Sequence, residues 1–129
     1  MSLFRCGASS ELTETTLWTN SSPSTSFSDQ SVTLSESVEN FKYIAFYVRT
    51  SESDNTESYV ICDVDELKTY IASGTHPELC MASRVNNQQF TRMVFYVDTT
   101  HIKYDNAYEL TGAPTRNSYV IPTKIVGLA

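Results

Sequence analysis

The segment Phe41–Thr50, FKYIAFYVRT, limits the folds open to this chain more than any other part of its sequence. Its alternating pattern predicts a β-strand, in which successive side chains point to opposite faces. Neither face of this strand is polar, however. One face contains Ile44, Phe46 and Val48, and the other contains Tyr43, Ala45 and Tyr47. A strand in a small soluble domain usually buries one face, so the second, tyrosine-containing face needs an explanation.

Seven further segments have the alternating or β-branched character of short strands, with turn residues between them. They are Thr13–Thr19, Ser31–Ser35, Ser58–Cys62, Leu79–Val85, Phe90–Asp98, His101–Tyr104 and Tyr119–Leu128. Pro122 lies inside the last of these, so we expect that strand to be bent or to lie at a sheet edge. Many short strands of this kind predict an all-β fold, specifically a jelly-roll-like β-sandwich.

One segment departs from the strand pattern and predicts a short helix around residues 64–72. Asp63 is placed to cap its N-terminus, with Glu66 three residues later. Val64, Leu67 and Ile71 recur at helical spacing, and Gly74 supplies a left-handed stop. A helix this short is unstable alone, so we expect Leu67 and Ile71 to pack on the sheet.

Length and charge exclude several classes of protein. The 129 residues are enough for a single domain spanning residues 1–129. A net charge of −6 with nine Lys and Arg disfavours binding to nucleic acid or to an anionic membrane surface. No apolar run reaches the 18 residues of a transmembrane helix, so we expect no membrane insertion. The three cysteines, Cys6, Cys62 and Cys80, are an odd number and predict thiols, with a Cys62–Cys80 bridge as the alternative.

Tyrosine and arginine recur on one face of three predicted strands. The alternation of Phe90–Asp98 predicts that Met93, Phe95 and Val97 lie on its buried face. Arg92, Val94, Tyr96 and Asp98 then lie on its outer face. The resulting candidate ligand or subunit interface is Tyr43, Tyr47, Arg49, Tyr59, Arg92 and Tyr96. Three interpretations remain open: a sheet face covered by the chain's own flanks or helix, an oligomer interface, or a sugar-binding face on which tyrosine rings stack.

No sequence motif indicates catalysis or a resident metal. The nucleophile-elbow, zinc-protease, Walker and dinucleotide-binding patterns are all absent. The two histidines, His76 and His101, are too few and too far apart for most metal sites. The carboxylates Asp63, Asp65 and Glu66 are best explained as helix capping. We therefore expect a protein without enzymatic activity, metal or cofactor.

Several short motifs resemble a small β-rich domain of tail-fibre and tail-tip (baseplate) proteins in tailed bacteriophages and prophages. In that family a strand beginning F-x-Y-I recurs. The matching segments are Leu17–Pro23, Phe27–Ser35, Val38–Ile44, Ile102–Tyr108 and Tyr119–Gly127. The resemblance covers roughly residues 15–50 and 88–127, whereas Asp63–Ala82 has no counterpart in it. Trp18 matches the family position, and we interpret it as a partly buried structural anchor.

The resemblance implies a virion component, made in the bacterial cytoplasm, that takes part in host attachment and fibre assembly. It implies a homo-oligomer, with a trimer favoured, that binds a bacterial surface glycan or protein. It names no catalytic residue. Met1-Ser2-Leu3 has the character of an added leader, so the chain could be cut from a longer fibre protein.

Two other functions remain open at this point. The first is a carbohydrate-binding, lectin-like module of a bacterial surface protein, which would be extracellular or on the cell surface. The second is a fibre segment that only oligomerises.

Overall fold

The computed structural model describes residues 12–72, 79–110 and 114–129. Within these residues eight strands form two four-stranded antiparallel sheets that pack together, which confirms the predicted β-sandwich. The strands are β1 (Glu14–Thr19), β2 (Gln30–Thr33), β3 (Tyr43–Ser51), β4 (Glu57–Asp63), β5 (Leu79–Val85), β6 (Gln88–Asp98), β7 (His101–Glu109) and β8 (Tyr119–Leu128). The predictions concerning Cys6, Gly74 and His76 lie outside the described residues.

The two sheets have the strand orders β1-β8-β3-β4, here called sheet A, and β2-β7-β6-β5, here called sheet B. β3 and β4 form a hairpin whose loop is the polar segment between Ser51 and Glu57. β5 and β6 form a second hairpin through Asn86 and Asn87, which both have positive φ angles (50° and 68°). Asparagine tolerates this left-handed backbone better than most residues, and it is typical of tight hairpin turns.

The single α-helix in the described residues, α1 (Val64–Leu67), is shorter than predicted. Asp63 does cap it, because its side chain accepts a hydrogen bond from the Glu66 backbone N–H at 2.7 Å. Leu67 is fully buried as expected, but the prediction that Ile71 packs on the sheet is wrong, since Ile71 is exposed. After Leu67 the chain continues as a turn, in which the Thr69 N–H donates to the Glu66 carbonyl at 2.9 Å. The Tyr70 carbonyl then accepts from the Tyr96 N–H of β6 at 2.7 Å.

The main core lies between the two sheets. Ile44, Phe46 and Val48 of β3 point into it, and each is 1% exposed or less, as the sequence predicts. Cys62 is a buried thiol in the same core, whereas Cys80 is an exposed thiol on β5.

Pro122 lies in a strand that is bent rather than at an edge. β8 pairs with both β1 and β3, and its register with β3 shifts between Tyr47 and Val48. The β1 pairing ends where Thr19 meets Lys124, so no neighbouring strand needs an N–H from Pro122 on that side. Asn20 takes over there, since its side-chain amide donates to the Pro122 carbonyl at 2.8 Å.

β6 faces the opposite way from the sequence prediction. Phe90, Arg92 and Val94 point into the sandwich and are each 1% exposed or less. The residues assigned to the core, Met93, Phe95 and Val97, therefore lie on the outer face of sheet B; we call them the β6 stripe. Val97 is 52% exposed.

The described residues include no helix that is long and apolar enough to cross a membrane.

Candidate functional site

Four of the six predicted site residues lie on the outer face of sheet A, which we call the aromatic face: Tyr43, Tyr47, Arg49 and Tyr59. The hairpin register pairs Tyr47 directly with Tyr59, and their ring centroids are 5.1 Å apart. Lys124 of β8 lies over the Tyr47 ring, with its Nζ 4.6 Å from the centroid. This is the geometry of a cation–π contact.

The aromatic face is only partly open to solvent. Its apolar centre forms a second small cluster of buried residues: Ala45, Tyr47, Val126 and Leu128. Leu12, Tyr43 and Ile61 pack against this cluster. Tyr59 is 46% exposed, whereas Tyr47 is 7% exposed, so Tyr59 is the tyrosine of this pair that a partner can reach.

Charges surround the two tyrosines. Burial raises the pKa of Tyr47, with smaller effects from Tyr59 and Glu57, so its hydroxyl stays neutral well above pH 7. Arg49 donates to the Ser51 and Glu52 carbonyls, at 2.8 and 3.0 Å, and so connects this face to the β3–β4 loop. Glu57 accepts a hydrogen bond from the Thr123 hydroxyl at 2.9 Å.

Arg92 is not part of the aromatic face, and its assignment there is wrong. Its side chain is inside the sandwich, where Nε donates to the Val120 carbonyl at 2.8 Å and Nη1 to the Asp105 carbonyl at 2.6 Å. Burial lowers the pKa of the guanidinium to about 10, so it stays charged at neutral pH. Tyr96, on the same face of β6, also packs against the main core rather than beside Tyr47.

Trp18, Phe27 and Tyr104 form an aromatic group beside Arg92 that was not predicted from the sequence. Phe27 lies 6.0 Å from Trp18 and 5.5 Å from Tyr104, centroid to centroid, with both pairs edge-on. The Arg92 guanidinium carbon is 5.2 Å from the Phe27 centroid. The hydroxyl of Tyr104 is buried without a hydrogen-bond partner in the described residues, and burial raises its pKa strongly. Because Tyr104 lies on β7, far in the sequence from Trp18 and Phe27, no local pattern could reveal the group.

A cleft of about 290 Å³ opens beside Trp18, between the end of β1 and the start of β2; we call it the Trp18 cleft. It is lined by Trp18, Thr19, Asn20, Ser21, Ser22, Thr25, Ser26, Phe27 and Gln30. The interpretation of Trp18 as a structural anchor agrees with its packing against the main core. The cleft was not predicted; its sequence signal is a tryptophan followed by a loop rich in serine and threonine.

A larger, more open depression of about 460 Å³ lies beside α1 and includes Glu39, Lys42, Asp63 and Asp65. In the part of the chain that the structure describes, His, Cys, Asp and Glu side chains form no group of three or more that could hold a metal ion. The carboxylates here have local roles instead: Asp63 caps α1, and Glu39 forms an ion pair with Lys68.

No protein-family model and no curated protein sequence matches this chain.

Proposed function

We propose that this chain is a non-enzymatic attachment and assembly domain of a tail fibre or tail tip from a tailed bacteriophage or prophage. The proposal combines the resemblance in sequence with one structural observation. That observation is the aromatic face, on which the half-exposed Tyr59 ring lies beside Tyr47, with Lys124 and Arg49 on the same face. Tyrosine and arginine are the residue types that protein contacts favour over the rest of a surface.

The proposed oligomer is a homotrimer in which Tyr59 contributes to the contact between copies. Three copies on one fibre present three identical binding sites, so a weak affinity for a bacterial surface glycan or protein becomes a strong overall attachment. This arrangement requires no chemistry beyond contact. In the proposal the chain therefore acts by binding and assembly.

Light scattering and cell binding test this function together. We expect the wild-type chain to form a stable trimer and to bind bacterial cells, and Tyr59→Ser to lower both the mass and the cell binding. Leu110→Ser is the matched control, because Leu110 is 64% exposed and lies outside the aromatic face. If the wild-type chain is strictly monomeric, the aromatic face is not an assembly surface and this part of the proposal is wrong.

A carbohydrate-binding, lectin-like module of a bacterial surface protein is the second candidate. The Trp18 cleft favours it, because an indole beside hydroxyl and amide groups suits a sugar. The two candidates differ in assembly: a monomer that binds glycans supports this module, whereas a trimer supports the fibre domain.

A further inference from the structure

The Trp18 cleft is suited to a small ligand by its size and its position. Its volume of about 290 Å³ lies near the lower end of small-molecule sites, which begin at roughly 300 Å³. Trp18 packs against the core, with its ring centroid 5.8 Å from that of Tyr104, and remains partly exposed where it lines the cleft. The cleft thus has one rigid aromatic surface and an otherwise polar lining.

None of the nine lining residues is charged, although 19% of the whole chain is Asp, Glu, Lys or Arg. A charged ligand would find no opposite charge here to compensate for the water it loses. The lining instead offers hydroxyls and carboxamides, which can both donate and accept hydrogen bonds. The cleft therefore favours an uncharged ligand with many hydroxyl groups.

Several of the polar groups are available to a ligand. Within the described residues, the hydroxyls of Thr19, Ser21, Ser22 and Ser26 have no hydrogen-bond partner in the protein. All four residues are exposed, so water can reach these hydroxyls. A ligand hydroxyl can replace such a water molecule at little cost if it repeats the water's hydrogen bonds.

Other polar groups of the same loop hold its shape. The Asn20 carboxamide donates to the Pro122 carbonyl at 2.8 Å and accepts from the Ser22 N–H at 2.9 Å. The Thr25 hydroxyl donates to the Ser22 carbonyl at 2.9 Å, and the Phe27 N–H donates to the Asn117 carbonyl at 2.9 Å. A loop held at both ends has less freedom to lose on binding, which favours affinity.

We propose that the Trp18 cleft binds an uncharged saccharide residue. One C–H face of the sugar ring packs against the electron-rich indole of Trp18, and the sugar hydroxyls bond to Ser21, Ser22 and Ser26. This inference rests on the proposed attachment function and adds the ligand class and its site. It places recognition of the host at the Trp18 cleft and assembly at the aromatic face.

Trp18 is the only tryptophan in the chain, so its fluorescence reports directly on this cleft. The probe is a panel of neutral oligosaccharides built from hexoses and N-acetylhexosamines, titrated against the full chain. We expect at least one to shift the Trp18 emission in a saturable way. Oligosaccharides with a carboxylate in every residue should bind no more tightly than the neutral ones.

Ser26→Glu tests the site, because it puts a larger, charged side chain into the cleft. We expect at least a tenfold loss of affinity for the neutral oligosaccharide. Ser24→Glu is the matched control, because Ser24 is exposed in the same loop but does not line the cleft. The affinity of this variant for the neutral oligosaccharide should stay within twofold of the wild-type value. If near-ultraviolet circular dichroism shows that Ser26→Glu has not folded, Ser21→Glu replaces it.

Three results would overturn the inference: no saturable change with any neutral oligosaccharide, equal affinity in the Ser26 and Ser24 variants, or tighter binding of the acidic oligosaccharides. The mass of the oligomer is measured on the same samples. If the chain is a trimer that attaches to cells but shows no such binding, the proposed function stands and the saccharide site in the cleft is wrong. If the chain is a monomer that binds as expected, the saccharide site stands and the fibre assembly is wrong.

Discussion

Replacing Arg92 should destabilise the protein through one defined loss, that of the side-chain hydrogen bonds between the two sheets. It belongs to sheet B, yet its guanidinium donates to the Val120 and Tyr119 carbonyls of sheet A. Arg92→Met should lower the free energy of unfolding by about 2–4 kcal/mol, because buried carbonyls lose their donors. Urea unfolding at pH 7 measures the change.

Arg84→Met is the control for this prediction. Arg84 lies on the neighbouring strand β5 and is exposed, so its substitution should change the free energy of unfolding by no more than about 0.5 kcal/mol. Arg92→Lys should also destabilise the protein, since an ammonium cannot reproduce the planar fork of the guanidinium. Equal effects at positions 84 and 92 would contradict the bridging role.

Gly127 illustrates a second constraint at the scale of single residues. A Cβ atom added there would lie 2.6 Å from atoms of the Phe41 ring, which is closer than real contacts allow. Gly127→Ala should therefore cost about 1–3 kcal/mol of unfolding free energy by urea denaturation. In the double variant with Phe41→Leu the cost should be smaller, because the ring is gone; additive losses would show that the ring is not the cause.

The contrast between β3 and β6 shows how far residue patterns can predict faces. In β3 one face carries phenylalanine and aliphatic residues, and the other carries tyrosines. This difference correctly identified the inner face. In β6 the same rule chose Met93, Phe95 and Val97, because they are more apolar than Arg92 and Tyr96. The charge of Arg92 is compensated by carbonyls of β8, more than 25 positions away in sequence, and no local pattern reveals them.

At the scale of elements, the β6–β7 hairpin should respond to acid through Asp98. Its carboxylate accepts from the Thr100 N–H at 2.9 Å and lies 2.8 Å from His101 Nδ1. The Thr100 bond first, and the His101 bond second, hold the pKa of Asp98 below its ordinary value of 3.8. A depressed carboxyl pKa contributes stability above pH 3.8, and that contribution is lost as the pH falls through the folded-state pKa.

Asp98→Asn imitates the protonated form, so it should destabilise the protein at pH 7 and have less effect near pH 3. Urea midpoints of wild type and variant at the two pH values measure this difference. Asp29→Asn serves as the control, because the Asp29 side chain is exposed and makes no hydrogen bond to any of the described residues. A difference between wild type and Asp98→Asn that is constant with pH would contradict the prediction.

The elements themselves were largely predictable, since strand periodicity and turn residues are local signals. The helix was the weakest element, because tertiary contacts decide where so short a helix ends. Asp63 identified its start correctly, through a cap that depends on nearby backbone alone. The segment that follows the helix is bound to β6 through the hydrogen bond between Tyr96 and Tyr70, which joins residues 26 positions apart and so gives no local signal.

At the scale of the whole molecule, the two apolar faces of β3 belong to two different clusters of buried residues. The face with Phe46 packs against sheet B in the main core. The face with Tyr47 belongs to the second cluster, at whose margin Tyr59 remains open. Within the described residues, each sheet thus has an outer face for contacts with other copies, in addition to the Trp18 cleft: the aromatic face on sheet A and the β6 stripe on sheet B.

The proposed assembly uses the first of these two surfaces, and a pair of charge substitutions distinguishes them. Tyr59→Asp should dissociate the trimer, because it removes the tyrosine ring from the contact and puts there a carboxylate whose burial is costly. Val97→Asp should leave the trimer intact, since Val97 is 52% exposed and lies on the opposite sheet. Light scattering at matched concentrations measures both variants, with urea unfolding to confirm that each is folded. If Val97→Asp dissociates the oligomer and Tyr59→Asp does not, the copies meet through the β6 stripe, and the aromatic face is left for other contacts.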